Sequence, residues 1–294
     1  MTDAFSSLLQ GLATLSAPGM FPIVAAVLGL VVGSFLNTVI HRLPRMLRHE
    51  WREQCAELDG RDVVATPRYD LIAPRSHCPA CKTPIRSWHL VPVISWIALR
   101  GRCAACSASI SSRYPLIELG TAIAFAIVAV TFGAGPEAWA ALLVTAFLIA
   151  LAVIDFDTHY LPDQLTLPLL WIGLAASLAG DVRTAVIGAI VGYLSLWAFY
   201  HLFKLITGKE GMGYGDFKLF AALGAWLGPA ALMPIILLAS IAGAVVGLTL
   251  VFFFKRSREQ PLAFGPFLAA AGVFVMLVGQ NAPGGLLIKD WTGF

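Results

Sequence analysis

Apolar runs of helical length, separated by short polar breaks, dominate the chain. They fall at roughly 20–41, 114–133, 137–156, 164–180, 184–206, 216–229, 230–254 and 261–280. A bilayer-spanning helix needs about 20 apolar residues, so the pattern predicts an all-α polytopic membrane protein with about eight transmembrane helices. The runs 164–180 and 216–229 are short for a full crossing. Irregular backbone at membrane depth is tolerated where protein or a water-filled cavity surrounds it. One long polar interval, 42–113, interrupts the series and predicts a soluble loop domain. The predicted organisation is an outward N-terminal segment (1–19), a first transmembrane helix (20–41), the loop (42–113), a transmembrane core (114–280) and an outward C-terminal tail (281–294).

Composition agrees. Of 294 residues, 58% are hydrophobic and 13% charged, with a mean hydropathy of +0.79, too apolar for a soluble chain of this length. Residues 1–19 carry Asp3 and no Lys or Arg, which predicts a retained first helix rather than a cleaved signal peptide. Twelve of the twenty Lys and Arg lie in the loop. Alternation of spans puts Lys204, Lys209, Lys218, Lys255, Arg256 and Arg258 on the same side, leaving only Arg183 and Lys289 opposite. The positive-inside rule then makes that side cytoplasmic. Acidic residues interleaved in the loop (Glu50, Glu53, Glu57, Asp59, Asp62, Asp70) argue against a nucleic-acid surface.

The loop carries Cys78-Pro79-Ala80-Cys81 and Cys103-Ala104-Ala105-Cys106, with 21 residues between the pairs. Two such knuckles supply four thiolates for a structural zinc ion, and a reducing cytoplasm disfavours a disulfide reading. Cys55 is left over, and His77 and His89 are expected outside the metal shell.

Ionisable groups at membrane depth are costly and point to function. Asp155 ends the apolar run Leu148–Ile154, while Asp216 closes Gly213-Tyr214-Gly215-Asp216. Together they are a candidate aspartyl dyad, two carboxyls sharing a proton and activating water. Asp157 lies further toward the interface, and His159 is one turn from Asp155. Pro162 breaks the helix and leaves Asp163 as the expected N-cap of the next. Glycines 211, 213 and 215 predict a backbone free to take positive φ and to let another chain approach, with Lys218 near Asp216.

The chain resembles the bacterial type IV prepilin peptidases, the leader peptidase/N-methyltransferases among the GxGD aspartic membrane proteases. The resemblance is carried by Gly33-Ser34-Phe35-Leu36-Asn37, His41-Arg42-Leu43-Pro44, the paired CxxC motifs, Ser112-Arg113-Tyr114-Pro115 with Glu118, Asp155 to Leu161-Pro162-Asp163, and Gly213 to Lys218. It implies that Asp155 and Asp216 cut after a glycine on the cytoplasmic side of a bacterial inner membrane, with Gly213, Gly215, Lys218 and Asp163 in support. The substrates would be prepilin and type II secretion pseudopilin precursors. The same chain would then methylate the new N-terminus with S-adenosylmethionine. Gly101, Arg102, Arg113 and Glu118 are the candidate cofactor residues by resemblance; no GxGxxG between strand and helix offers an alternative. A proton-coupled transporter would also place carboxylates near broken helices, but no internal repeat of the two halves is visible. A membrane-anchored zinc module would leave Gly213–Asp216 unexplained.

Overall fold

The computed structural model describes residues 19–60, 69–209, 211–254 and 262–279. The outward segments expected at 1–19 and 281–294, Gly19 apart, lie outside the described residues, as do Lys255, Arg256, Arg258 and Lys289. The chain forms two compact units, Met1–Ala134 and Gly135–Phe294.

The first unit pairs α1 (Phe21–Leu58) with α3 (Arg113–Phe132); a 3-10 turn (Ser87–Leu90) and the short α2 (Ile94–Ala98) lie between them in sequence. The close approach of α1 and α3 comes from Gly29 and Gly33. A Cβ on either would sit 2.7 Å from Ala122 Cα or 2.8 Å from Glu118 Cα. Small residues four apart are what let two apolar helices touch backbone to backbone in lipid. Buried polar side chains then tie in the rest. Asn37 donates to the Tyr114 carbonyl at 3.1 Å, and Arg42 donates to the carbonyls of Asp70 and Pro74 at 2.8 and 2.6 Å.

Here the sequence reading needs two corrections. The first helix does not stop at 41 but runs 38 residues to Leu58. Residues 45–58 lose hydropathy without losing helix propensity, so leaving the bilayer is not a helix end. The helix at 114–133 was expected to open the protease core; it belongs instead to the first unit, packed on α1.

The second unit holds α4 (Pro136–Thr158), α5 (Asp163–Ala176, continued by a 3-10 turn to Ala179), α6 (Val182–Thr207), α7 (Tyr214–Leu227), α8 (Pro229–Phe254) and α9 (Gly265–Gly279). Local chemistry sets these boundaries. Gly135 precedes Pro136 at the first turn of α4, and His159 ends that helix in a left-handed conformation. Asp181 caps α6 by accepting the Thr184 amide at 3.1 Å, and Gly208 closes it at φ 69°. Helix α7 is the hub, packed by α5, α6, α8 and α9, and α9 also packs on α4. From Asp216 to Leu227 every residue of α7 except Lys218 is buried, which marks a helix apolar all round and enclosed by others.

Five helices are long and apolar enough to cross a membrane: α1, α3, α4, α6 and α8. The other three expected spans are the shorter helices α5, α7 and α9, with 14, 14 and 15 residues. The fold is therefore a multi-pass all-α membrane protein whose full-length spans number five among the described residues. Proline at 162 and glycines at 213, 228 and 265 explain the shortening, since each helix begins or ends at one of them.

Candidate active site and candidate metal centre

In the second unit three helix ends carry the candidate site. Asp155 lies in the last turn of α4 and Asp216 in the first turn of α7; they are 6% and 7% exposed, so neither is a surface carboxylate. Both carboxylates are thus withdrawn from solvent at the ends of packed helices of the same unit. The third end is that of α9. The Gly265 amide, at the first helical residue, donates to Asp155 Oδ2 at 2.9 Å. A helix N-terminus is a natural seat for a carboxylate, because its first amides lack partners and carry partial positive charge. Only glycine fits there: a Cβ at 265 would lie 2.7 Å from Asp155 Oδ2 and 3.1 Å from its Cγ. Sequence reasoning missed this contact, which spans 110 residues. The one available signal was Gly265-Pro266 at the head of the last apolar run.

Asp216 is treated differently. Its amide donates to the Gly213 carbonyl at 3.2 Å, but its Oδ1 is buried with no hydrogen-bond partner. A buried polar atom without a partner is rare and calls for a reason. On the adjoining side the Phe217 ring meets those of Tyr193, Tyr200 and Tyr214 at 6.0, 5.7 and 5.3 Å between centroids.

The glycines before Asp216 serve another purpose than expected. None of Gly211, Gly213 and Gly215 takes positive φ. Gly215 is needed for contact: a Cβ there would meet Leu161 Cβ at 2.7 Å, so its absence seats the Leu161-Pro162-Asp163 turn against α7. Gly213 is the N-cap residue of α7, in an extended conformation and without crowding.

Asp163 is not an N-cap either. Pro162 occupies the cap, and Asp163 is the first residue of α5. Its carboxylate is gripped by Lys218, both oxygens 2.7 Å from Nζ. Lys218 thus pairs with Asp163, and the expected cation beside Asp216 is committed elsewhere. That pair pins α5 to α7 just outside the dyad. Asp157 is exposed, and the His159 amide donates to the Asp155 carbonyl at 2.8 Å.

In the first unit the structure brings Cys78, Cys81, Cys103 and Cys106 together, their sulfurs all within 4.8 Å of one another, as a group that could hold a metal ion. Cys55 is exposed on α1 and outside the group. His77 is likewise outside it, its Nδ1 3.0 Å from the Arg75 carbonyl oxygen. The two knuckles are built alike. The amides of Cys78 and Cys103 donate to the carbonyls of Thr83 and Ala108 at 3.0 and 2.8 Å, and those of Lys82 and Ser107 turn back to the carbonyls of Cys78 and Cys103. Lys82 and Ser107 sit at φ 57° and 58°, the left-handed residue after each second cysteine. Neither is glycine, so no residue type announces the turn.

The thiols feel this crowding. Hydrogen bonding to Thr83 holds the Cys81 thiol down to about 6, and the Ala105 and Cys106 amides hold Cys103 low. The Ala108 amide pulls Cys106 the same way, yet contacts with Cys81 and its neighbours push it up to about 11. Were all four ionised together, thiolates this close would need a cation among them.

The four residues proposed for the cofactor serve separate local contacts. Gly101, at φ 65°, turns the chain against Trp96. Arg102 is exposed and bridges in antiparallel fashion to Ser109. Arg113 is exposed at the first turn of α3, its amide 3.3 Å from Ser111 Oγ. Glu118 is buried and its Oε2 accepts the Val93 amide at 2.7 Å, holding a residue at φ 59°.

Known proteins resemble this chain over most of its length. A model of the bacterial peptidase A24 N-terminal domain matches residues 27–132, and one of the type IV leader peptidase family matches 142–248. A protein of Stutzerimonas stutzeri named prepilin leader peptidase/N-methyltransferase is 50% identical over 270 residues, covering 90% of this chain and 93% of the relative. Proteins of the same name from Aeromonas hydrophila and Pseudomonas aeruginosa are 52% and 47% identical over 257 and 272 residues. They cover 86% and 90% of this chain and 89% and 93% of their own lengths. No solved structure matches.

Proposed function

Since this chain belongs to the type IV leader peptidase family, we propose that it is a membrane peptidase with N-methyltransferase activity that removes the leader of prepilins through Asp155 and Asp216. The single observation that carries the catalytic assignment is the pair of buried carboxylates in one unit, one satisfied by a helix N-terminus and the other left with an unpartnered oxygen. Two such groups share a proton more readily than they both ionise. Asp155, held by the Gly265 amide, takes a proton from water; Asp216 carries the shared proton and gives it to the scissile carbonyl oxygen as the water oxygen attacks the carbon. Collapse of the tetrahedral species returns a proton to the leaving amine and frees the leader as a carboxylic acid.

Placement of the dyad on the cytoplasmic side of a bacterial inner membrane rests on the 18-to-2 division of Lys and Arg read from the sequence. There it would meet a precursor, prepilin or type II secretion pseudopilin, whose leader stays outside the lipid while its apolar helix stays within. The metal is zinc in this reading. A tetrahedron with Zn–S bonds of about 2.3 Å separates its sulfurs by about 3.8 Å, and Cys78 and Cys106 have their sulfurs 3.8 Å apart. When bound, it closes a loop too small to hold a core of its own. The methyl donor is S-adenosylmethionine. Gly101, Arg102, Arg113 and Glu118 are the residues proposed to face it, on the resemblance alone.

Leader cleavage by the purified protein tests the dyad. Asp155→Asn and Asp216→Asn should each abolish it while labelled methyl transfer to a pre-cleaved substrate persists. Cleavage surviving either change would sink the assignment.

A further inference from the structure

Between the two knuckles the chain turns an apolar face outward. Trp88, Leu90, Val91, Ile94 and Ile97 are 63%, 46%, 43%, 65% and 63% exposed. This is no loose loop, because its inner side is built. Buried Ser95 donates through Oγ to the Trp88 carbonyl at 2.8 Å, and the Trp96 indole donates to the Ile110 carbonyl at 3.1 Å. A well-formed segment with five large apolar side chains facing away from the protein marks an interaction surface.

Its height identifies the partner. Glu118 Oε2 accepts the Val93 amide, and Glu118 stands in the second turn of α3, five residues after Arg113. At 1.5 Å per residue that is roughly 7.5 Å into the helix. Helix α3 has 20 residues, so its length of about 30 Å matches the hydrocarbon core with no turn to spare. A segment clamped to its second turn lies at the boundary between headgroups and acyl chains. Basic side chains flank the apolar stretch. Arg86 stacks its guanidinium 5.3 Å from the centre of the Trp88 ring, and Arg100 and Arg102 follow Ile97. Tryptophan beside arginine, with aliphatic residues pointing away, is the composition of an interfacial anchor.

We propose that residues 88–97 form a foot lying in the headgroup region of the membrane, with Trp88, Leu90, Val91, Ile94 and Ile97 against the acyl chains and the arginines on anionic lipid phosphates. The foot holds the cysteine cluster at the membrane surface, and it rests on the reading of α3 as a spanning helix.

The test uses the full chain in nanodiscs of phosphatidylcholine with or without phosphatidylglycerol, carrying the photocrosslinker p-benzoylphenylalanine in place of Ile94, of Ile97 or, as a control, of exposed Ala104 in the second knuckle. Lipid adducts should form several-fold more at 94 and 97 than at 104, and more with the anionic lipid present. Adducts that map instead to a second copy or to an added precursor peptide would overturn the proposal, as would lipid adducts no more frequent than at 104. A second measurement leaves the segment's aliphatic residues intact. The fluorescence lost on Trp88→Phe must be a component that brominated phosphatidylcholine quenches in the wild type; an unquenched component would refute contact with acyl chains.

Discussion

Replacing Gly265 by alanine adds one methyl group against the candidate dyad. The new Cβ would lie 2.7 Å from Asp155 Oδ2, 3.1 Å from Cγ and 3.3 Å from Cβ. Carbon and oxygen do not sit that close without repulsion, so the carboxylate must retreat by several tenths of an ångström or α9 must slide. Either movement weakens the bond from the Gly265 amide, now 2.9 Å long. A hydrogen bond to a charged group contributes about 1.5–3 kcal/mol, and each 1.4 kcal/mol in a barrier is about tenfold in rate. Misplacing a catalytic group by about 1 Å costs about 100-fold. Both routes give a fall of roughly 10- to 100-fold in kcat for leader cleavage, with KM little altered because the methyl faces the dyad. Gly272→Ala is the matched control on the same helix. Its Cβ would meet the flexible end of Leu223 at 2.7 Å, away from Asp155, and should lower stability by about 1–3 kcal/mol with a smaller effect on kcat. The assay is cleavage of a purified precursor, with methyl transfer to pre-cleaved substrate as the internal reference. Gly265→Ala cleaving at the wild-type rate, in a protein whose thermal stability is unchanged, would refute the claim that α9 positions Asp155.

Two predictions concern the first unit. Cys78→Ser should lose bound zinc and expose the 69–112 segment to limited proteolysis, whereas Cys55→Ser should keep full zinc content, because Cys55 lies outside the sulfur cluster; equal zinc in both would remove the cluster as the metal site. Glu118→Ala should speed amide exchange across 87–98 by roughly tenfold or more, since a buried charge-assisted bond contributes about 1.5–3 kcal/mol, while Glu118→Gln keeps an acceptor for Val93 and should exchange nearly as the wild type. If Glu118→Gln instead abolished methyl transfer with exchange unchanged, Glu118 would be a cofactor contact rather than a clamp.

The apolar runs, the long loop, the cysteine pairs and both membrane-depth aspartates could be read from sequence because each is a local signal. Periodicity over a window, a spacing of two, and a charge beside seven apolar residues need no partner to be recognised. What escaped was relational. Helix α1 continues past residue 41 because helix propensity and hydropathy are separate properties, and only the second falls there. Lys218 pairs with Asp163 across 55 residues, a choice settled by how α5 meets α7. The glycines near Asp216 looked like hinges because glycine alone tolerates positive φ; Gly215 is there because Leu161 fills the space its side chain would need. Lys82 and Ser107 show the converse, left-handed turns made by residues that announce nothing.

Asp155 has two tasks that substitution can separate. The start of α9 lies within the apolar unit, where an unsatisfied amide is costly. Asp155 Oδ2 meets that need at Gly265, so the carboxylate supports the fold as well as any chemistry. Asparagine keeps an oxygen of the same reach and can still accept from Gly265, but it cannot take a proton from water. Leucine, close to it in size, offers no acceptor and strands the amide. Asp155→Leu should therefore lose about 1–3 kcal/mol of stability relative to Asp155→Asn, while both lose cleavage entirely. At Asp216 the same comparison should come out differently, because Oδ1 has no partner to forfeit and burying it is itself a cost. The gap between Asp216→Asn and Asp216→Leu should be smaller than that at 155, since the carboxylate forfeits only its contact with the Gly213 amide. Thermal unfolding of the four variants in one detergent decides it. A leucine penalty at 216 as large as that at 155 would mean that Asp216 holds the fold together too, and its buried oxygen would no longer single it out for catalysis.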